Sequence, residues 1–119
     1  LIGIDLVKVE RIKRAADRHG ELFLKKFLNQ SEIESSKSIS SIAAKWAAKE
    51  AVSKALGCGI SSSLGFHDIS IEKNSGGAPY ALLSERSAAI FGVKHIHLSI
   101  THDGEYAVAA AFIYPPPTN

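Results

Sequence analysis

Two acidic side chains stand where acids are expensive. Asp5 interrupts the apolar run Leu1-Ile2-Gly3-Ile4-Asp5-Leu6-Val7, and a carboxylate buried there needs a cation or several donors to satisfy it. It admits two readings: a half-exposed carboxylate capping a nearby helix, or a metal ligand or general base. Glu50 falls on a helix face with Trp46 and Lys54, each four residues away. That spacing supports an ordinary Glu–Lys helix pair worth ~0.3–0.5 kcal/mol, and taken alone it favours that reading. On a face that also carries Ala43 and Ala47, the same pair can line a cleft. A carboxylate beside an ammonium suits a place where a metal and a phosphate are held together.

Other chemistries find less support. His97, Ser99 and Thr101 share one face of a strand, with His102 at the mouth of a hairpin. Five histidines raise zinc, but no His/Cys cluster has structural-zinc spacing and Cys58 is the single thiol. His19 and His67 receive no role. A Walker or Rossmann glycine loop and a Gly-x-Ser-x-Gly elbow are both absent. Gly57-Cys58-Gly59 follows a helix, whose C-terminal dipole repels anions. Phosphates bound there therefore require cationic side chains or a metal.

The elements that must position these residues read as an α+β pattern. Residues 1–9 read as a largely buried strand. A helix follows, with Val9, Ile12 and Ala16 on one side and Arg11, Arg14 and Arg18 on the other; its apolar side is expected to pack on the sheet. Gly20 ends it. Leu22 to Leu28 suggest a second short helix, and Ser31 with Glu34 a capping box for a third. Residues 35–41 read as a serine-rich loop whose Ser40 or Ser41 caps a long helix over 42–56, rich in alanine and closed by Gly57. Strands are expected over 67–72, after the turn Asn74-Ser75-Gly76-Gly77, over 95–101 and over 105–113. A helix over 84–91 falls between the second and third of these. Asp103-Gly104 marks the last hairpin.

Composition sets the limits. A chain of 119 residues with 45% hydrophobic and 22% charged residues fits one folded domain and excludes disorder. That domain is expected to occupy 1–114, followed by a Pro-rich tail, 115–119. No apolar run approaches the roughly 18 residues needed to cross a bilayer, and no signal peptide is evident, so the protein is expected to be soluble and cytoplasmic. One cysteine suits a reducing compartment. The chain has no methionine, so its initiator, with a few residues after it, is expected to precede Leu1. A net charge of +2 is too small to argue for nucleic acid. Residues 8–26 nevertheless carry seven basic against three acidic side chains, which predicts an acidic partner or a solvated face.

Together the segments are more specific than any one of them. Gly3-Ile4-Asp5-Leu6-Val7 is followed by Val9-Glu10-Arg11-Ile12, and the block Ala47-Ala48-Lys49-Glu50-Ala51-Val52-Ser53-Lys54-Ala55 lies in the middle. Asp68-Ile69 precedes a Gly-x-Pro turn at Gly77-Ala78-Pro79, and His97-Leu98-Ser99-Ile100-Thr101-His102 lies near the end. In this order the sequence resembles bacterial holo-[acyl-carrier-protein] synthases, the small trimeric branch of the 4′-phosphopantetheinyl transferase superfamily, over residues 1 to 114. The resemblance implies an antiparallel sheet packed on a long central helix, a homotrimer with coenzyme A sites between protomers, and Mg²⁺-dependent transfer of phosphopantetheine from coenzyme A to a serine of apo acyl carrier protein, in fatty acid biosynthesis. It makes Asp5 and Glu50 the Mg²⁺ ligands, with Lys54 beside them on the phosphates. Lys54, Gly57, Pro79, Thr101 and His102 become coenzyme A contacts, and Arg11, Arg14 and Arg18 the surface that docks the acidic carrier.

Three departures from the family pattern stand out. Lys45-Trp46 replaces Arg-Phe and keeps charge and aromaticity. Cys58 replaces a small hydroxyl residue. Ala78 stands where a lysine often faces the nucleotide, so one expected cation is missing. Two rival readings fit less well: a non-catalytic module that binds an acidic partner, which leaves Asp5 without a purpose, and a transferase for polyketide or peptide assembly, which is generally about twice this length.

Overall fold

The computed structural model describes residues 1–114; the Pro-rich tail expected at 115–119 lies outside the described residues. Five strands form one antiparallel sheet: β1 (Ile2–Lys8), β2 (Ile69–Lys73), β3 (Pro79–Leu83), β4 (His95–His102) and β5 (Tyr106–Phe112), in the order β1-β5-β4-β3-β2. The helices are α1 (Val9–His19), α2 (Glu21–Phe27), α3 (Gln30–Ser35), α4 (Ile39–Ala55) and α5 (Glu85–Phe91). The expected α+β class and the sheet on a long central helix both hold.

α4 lies across β1 and β5, and alanine sets how closely. Ala43, Ala47, Ala48 and Ala51 on the helix and Ala107, Ala109 and Ala111 on β5 are all fully buried. Small residues on both sides bring backbone against backbone. Gly3 is the extreme case: a Cβ there would sit 2.1 Å from the Ala51 carbonyl oxygen.

Several boundaries differ from those expected, each for a local reason. Ser38, not Ser40 or Ser41, caps α4 by accepting the Ser41 N–H, so the helix gains a turn from the serine-rich loop. α3 is capped by Asn29 rather than Ser31. The Asn29 side chain accepts the Glu32 N–H and the Glu32 carboxylate accepts the Asn29 N–H, both at 2.8 Å. Residues 66–68 form a 3₁₀ turn ahead of β2, with the Asp68 carboxylate accepting the Gly65 N–H at 2.9 Å. α1 packs chiefly on α4 rather than on the sheet.

β1 departs most. It is not buried on both faces. Gly3, Asp5 and Val7 face α4, whereas Ile2, Ile4 and Leu6 are 71%, 62% and 61% exposed. Phe112 and Tyr114 are exposed too, and their rings stack at 6.1 Å. A strand apolar on both faces has been used on one only, leaving an unusual outward apolar surface.

Candidate active site

The close approach at Gly3 places Asp5, two residues on and facing the same way, beneath the C-terminal half of α4. Its side chain is 13% exposed, and Lys54 reaches down from the helix to donate to Oδ1 at 2.8 Å. The same ammonium donates to the Ile4 carbonyl at 3.2 Å. The helix pair expected between Glu50 and Lys54 does not form, because Lys54 crosses to β1 instead. Glu50, one turn earlier and half-buried, makes no ion pair among the described residues. Burial pushes its carboxyl above the ordinary carboxylate range and the Asp5 charge pushes the same way, while Lys54 and Arg11 oppose the rise. Two carboxylates that repel each other, with an ammonium between strand and helix, form the first cluster.

Gly57 ends α4 with φ +78°, the left-handed backbone that glycine adopts without strain, and its N–H donates to the Lys54 carbonyl at 3.0 Å. It therefore fixes the end of the helix beside this cluster. The remaining carbonyls there disfavour anions, so an anion at this end of the helix depends on cationic side chains such as Lys54.

A second cluster lies where the N-terminal half of α4 meets β2, β3 and β4. Lys45, Lys73, Gly77, Pro79 and His102 surround a cleft of about 250 Å³. Pro79 and His102 thus border the same cleft. Thr101 does not join them. Strand alternation turns it to the outer face of the sheet, and in the register it stands beside Val108, which stands beside Leu6.

The arginine stripe forms a third group. Arg11, Arg14 and Arg18 line an open cavity of about 580 Å³ together with Lys8. Arg14 is paired loosely with Glu10 at 3.3 Å on the exposed surface. Arg11 is distinct, because its guanidinium lies 5.8 Å from the Trp46 ring centroid and its charge acts on Glu50. It links the basic surface to the first cluster.

Sequence reasoning missed one buried pair. Lys49 and Glu32 are 0% and 3% exposed and meet at 2.8 Å. The Lys49 ammonium also donates to the carbonyls of Phe27 and Phe66, at 2.6 and 3.2 Å. The second Glu32 oxygen accepts the Ile71 N–H at 2.8 Å. The network ties α2, α3, α4 and β2 around Phe27, Trp46 and Phe66, whose rings pack at 5.0–6.1 Å. Asn29-x-x-Glu32 was the available signal, since it is also a capping-box pattern.

The donor set suits one metal. Among the described residues no group of three or more His, Cys, Asp or Glu side chains gathers, so the protein alone offers no closed cage. Mg²⁺ does not require one, because it usually takes one or two carboxylates and completes its octahedron with phosphates and water. Asp5 and Glu50, close enough to perturb one another, fit that pattern.

The model of the 4′-phosphopantetheinyl transferase superfamily matches residues 1–111. The chain belongs to that superfamily. Holo-[acyl-carrier-protein] synthase of Sulfurimonas denitrificans is 50% identical over 113 residues, covering 95% of this chain and 93% of the relative. That of Sulfurovum sp. is 43% identical over 112 residues, with 94% of each chain covered. Among solved structures, the Helicobacter pylori holo-[acyl-carrier-protein] synthase in complex with coenzyme A superposes with a TM-score of 0.89 at 41% identity. It covers 94% of this chain and 98% of that one. Within the superfamily, these relatives place the chain in the holo-[acyl-carrier-protein] synthase branch.

Proposed function

We propose that this phosphopantetheinyl transferase moves 4′-phosphopantetheine from coenzyme A to a serine of apo acyl carrier protein, in the service of fatty acid biosynthesis. Adenosine 3′,5′-bisphosphate is the other product. The serine oxygen–phosphorus bond forms as the bridging phosphorus–oxygen bond of the diphosphate breaks. The observation that carries this reading is the meeting of Asp5, Glu50 and Lys54 where α4 crosses β1.

In this reading Asp5 and Glu50 hold Mg²⁺, which when bound polarises the phosphorus under attack and offsets charge on the leaving phosphate. Lys54, fixed by Asp5 Oδ1 and the Ile4 carbonyl, presents its ammonium to the same diphosphate. Gly57 keeps the end of α4 in place beside it. Pro79 and His102 border the cleft for the nucleotide end of coenzyme A. Thr101 contacts coenzyme A from the outer face of the sheet, beside the apolar surface through which copies of the chain associate. Arg11, Arg14 and Arg18 dock the acidic carrier, and Arg11, held over Trp46, stands nearest the reacting phosphate.

Residues 1–114 form the transferase domain. The exposed Ile2, Ile4, Leu6 and Phe112 form the interface of a homotrimer, since apolar surface of this kind marks association sites. The single thiol suits a cytoplasmic setting. No described helix is long and apolar enough to cross a membrane.

The test is incubation with apo acyl carrier protein, coenzyme A and Mg²⁺, read by intact mass. Gain of one phosphopantetheinyl group on the carrier is expected. No gain on any carrier protein would favour a module that only binds acidic partners.

A further inference from the structure

Trp46 is the aromatic side chain beside the reaction site that the transferase reading leaves without a task of its own. It is the single tryptophan of the chain and lies one helical turn before Glu50 on α4. Three rings hold it. Phe23 lies 6.2 Å away, close to parallel at 29°, and Phe27 and Phe66 are each 5.0 Å away. A ring fixed by three others is a rigid support for a planar cation, and the Arg11 guanidinium lies over it at 5.8 Å from the centroid.

Arg11 is held differently from its neighbour on the stripe. Arg14 pairs with Glu10 at 3.3 Å. Arg11 makes no side-chain hydrogen bond or ion pair among the described residues, so none of its five N–H donors is committed to a protein acceptor. Its backbone is fixed as well: the Val9 N–H donates to the Glu105 carbonyl at 2.9 Å where α1 begins, and Val9 and Ile12 are buried. Its charge is close enough to act on Glu50, whereas Lys54 is already tied to Asp5 and to the Ile4 carbonyl. A stacked guanidinium with its fork unused, beside two carboxylates suited to Mg²⁺, fits planar, doubly hydrogen-bonded recognition of a phosphate.

We propose that Arg11, held over Trp46, does more than dock the carrier: it is a catalytic residue that grips the phosphoryl group as it is transferred. The inference rests on the transferase reading above. Arg11 makes and breaks no bond in that transfer. As the serine oxygen–phosphorus bond forms and the bridging bond breaks, negative charge redistributes over the phosphoryl oxygens and the leaving phosphate. A guanidinium already oriented towards them stabilises that charge without having to reorganise. Trp46 touches no reacting atom. It is a positioning residue that supplies the orientation.

The test measures the single-turnover rate of transfer at saturating coenzyme A and apo acyl carrier protein, together with the KM for carrier. It uses the wild type, Arg11→Lys, Trp46→Leu, Trp46→Phe and the double variant Arg11→Lys/Trp46→Leu. Arg11→Lys keeps the charge that attracts the carrier and loses the planar fork. It is expected to slow the single turnover on the order of a hundredfold and to leave the KM for carrier nearly unchanged. Trp46→Leu should slow it to a similar degree, the double variant no further than either alone, and Trp46→Phe should retain most of the rate. An unchanged single-turnover rate in Arg11→Lys, with or without a raised KM for carrier, would make Arg11 a docking residue only and overturn the proposal. Losses that multiply in the double variant, or a Trp46→Phe as slow as Trp46→Leu, would overturn the part given to Trp46. Each of these results leaves the transferase reading intact, whereas absence of transfer by the wild type would sink that reading and this inference together.

Discussion

Glu50 is the residue whose charge state the fold resists. Its carboxyl is raised by burial and by Asp5, whereas in the unfolded chain it titrates normally. Below the unfolded value both states are protonated and nothing is lost. As pH rises through the window between the two values the unfolded chain gives up its proton first, so stability falls and stays lower above the folded value. Without metal, Glu50→Gln should therefore melt above the wild type at pH 8, by about a degree or two, and with it at pH 3.5; thermal melts in EDTA would show this. Added Mg²⁺ with adenosine 3′,5′-bisphosphate should raise the wild-type Tm and leave the variant unmoved. A wild type no less stable than Glu50→Gln at pH 8 would remove the repulsion. Asp5 should behave otherwise. Its repulsion of Glu50, taken alone, would make its removal stabilise the empty protein, but it also holds Lys54 at 2.8 Å, so Asp5→Asn surrenders an ion pair in exchange. The sequence placed an acid in a strand and an acid on a helix; the partner of Lys54 depended on how the two elements cross, which residue spacing does not contain.

At the scale of elements, α4 is held from below by a glycine and from the side by a buried ion pair. Gly3→Ala would put a methyl 2.1 Å from the Ala51 carbonyl oxygen, so the helix must lift. The expected cost is ~1–3 kcal/mol in denaturant unfolding, with transfer falling as well because Lys54 moves away from Asp5. Lys49→Met should cost more, about 3–5 kcal/mol, since Glu32 is left charged and buried. An unfolding free energy within about 0.5 kcal/mol of wild type would remove that network from the account. On α1, Arg14→Glu should raise the KM for carrier several-fold with little effect on that for coenzyme A. Added salt should weaken carrier binding more in wild type than in the variant. Unchanged carrier affinity after reversal of Arg11, Arg14 and Arg18 together would show that docking occurs elsewhere. Helix positions were legible because alanine runs, Gly20, Gly57 and Gly92 punctuate them. The buried side of α4 was not, because the helix is covered nearly all round and its pattern has no single apolar stripe.

For the whole molecule, β1 carries the main lesson. Its apolar residues suggested burial on both faces, yet Ile2, Ile4 and Leu6 are exposed in the single chain. Sequence alone cannot distinguish a face covered by the core from one covered by another copy. In the proposed trimer both expectations are met, and Ile4→Glu should shift sedimentation from trimer to monomer at micromolar concentration. Persistence of the trimer in that variant, or a fully active wild-type monomer, would place the interface elsewhere or dispense with it. The central claim is that Asp5 and Glu50, brought together where α4 crosses β1, are the site of phosphopantetheine transfer. It is tested most directly by following the intact mass of apo acyl carrier protein with coenzyme A and Mg²⁺, using wild type, Asp5→Asn and Glu50→Gln, each checked for native circular dichroism. The account predicts full conversion of the carrier by the wild type and none by either folded variant; wild-type conversion by either variant, or none by the wild type, would contradict it.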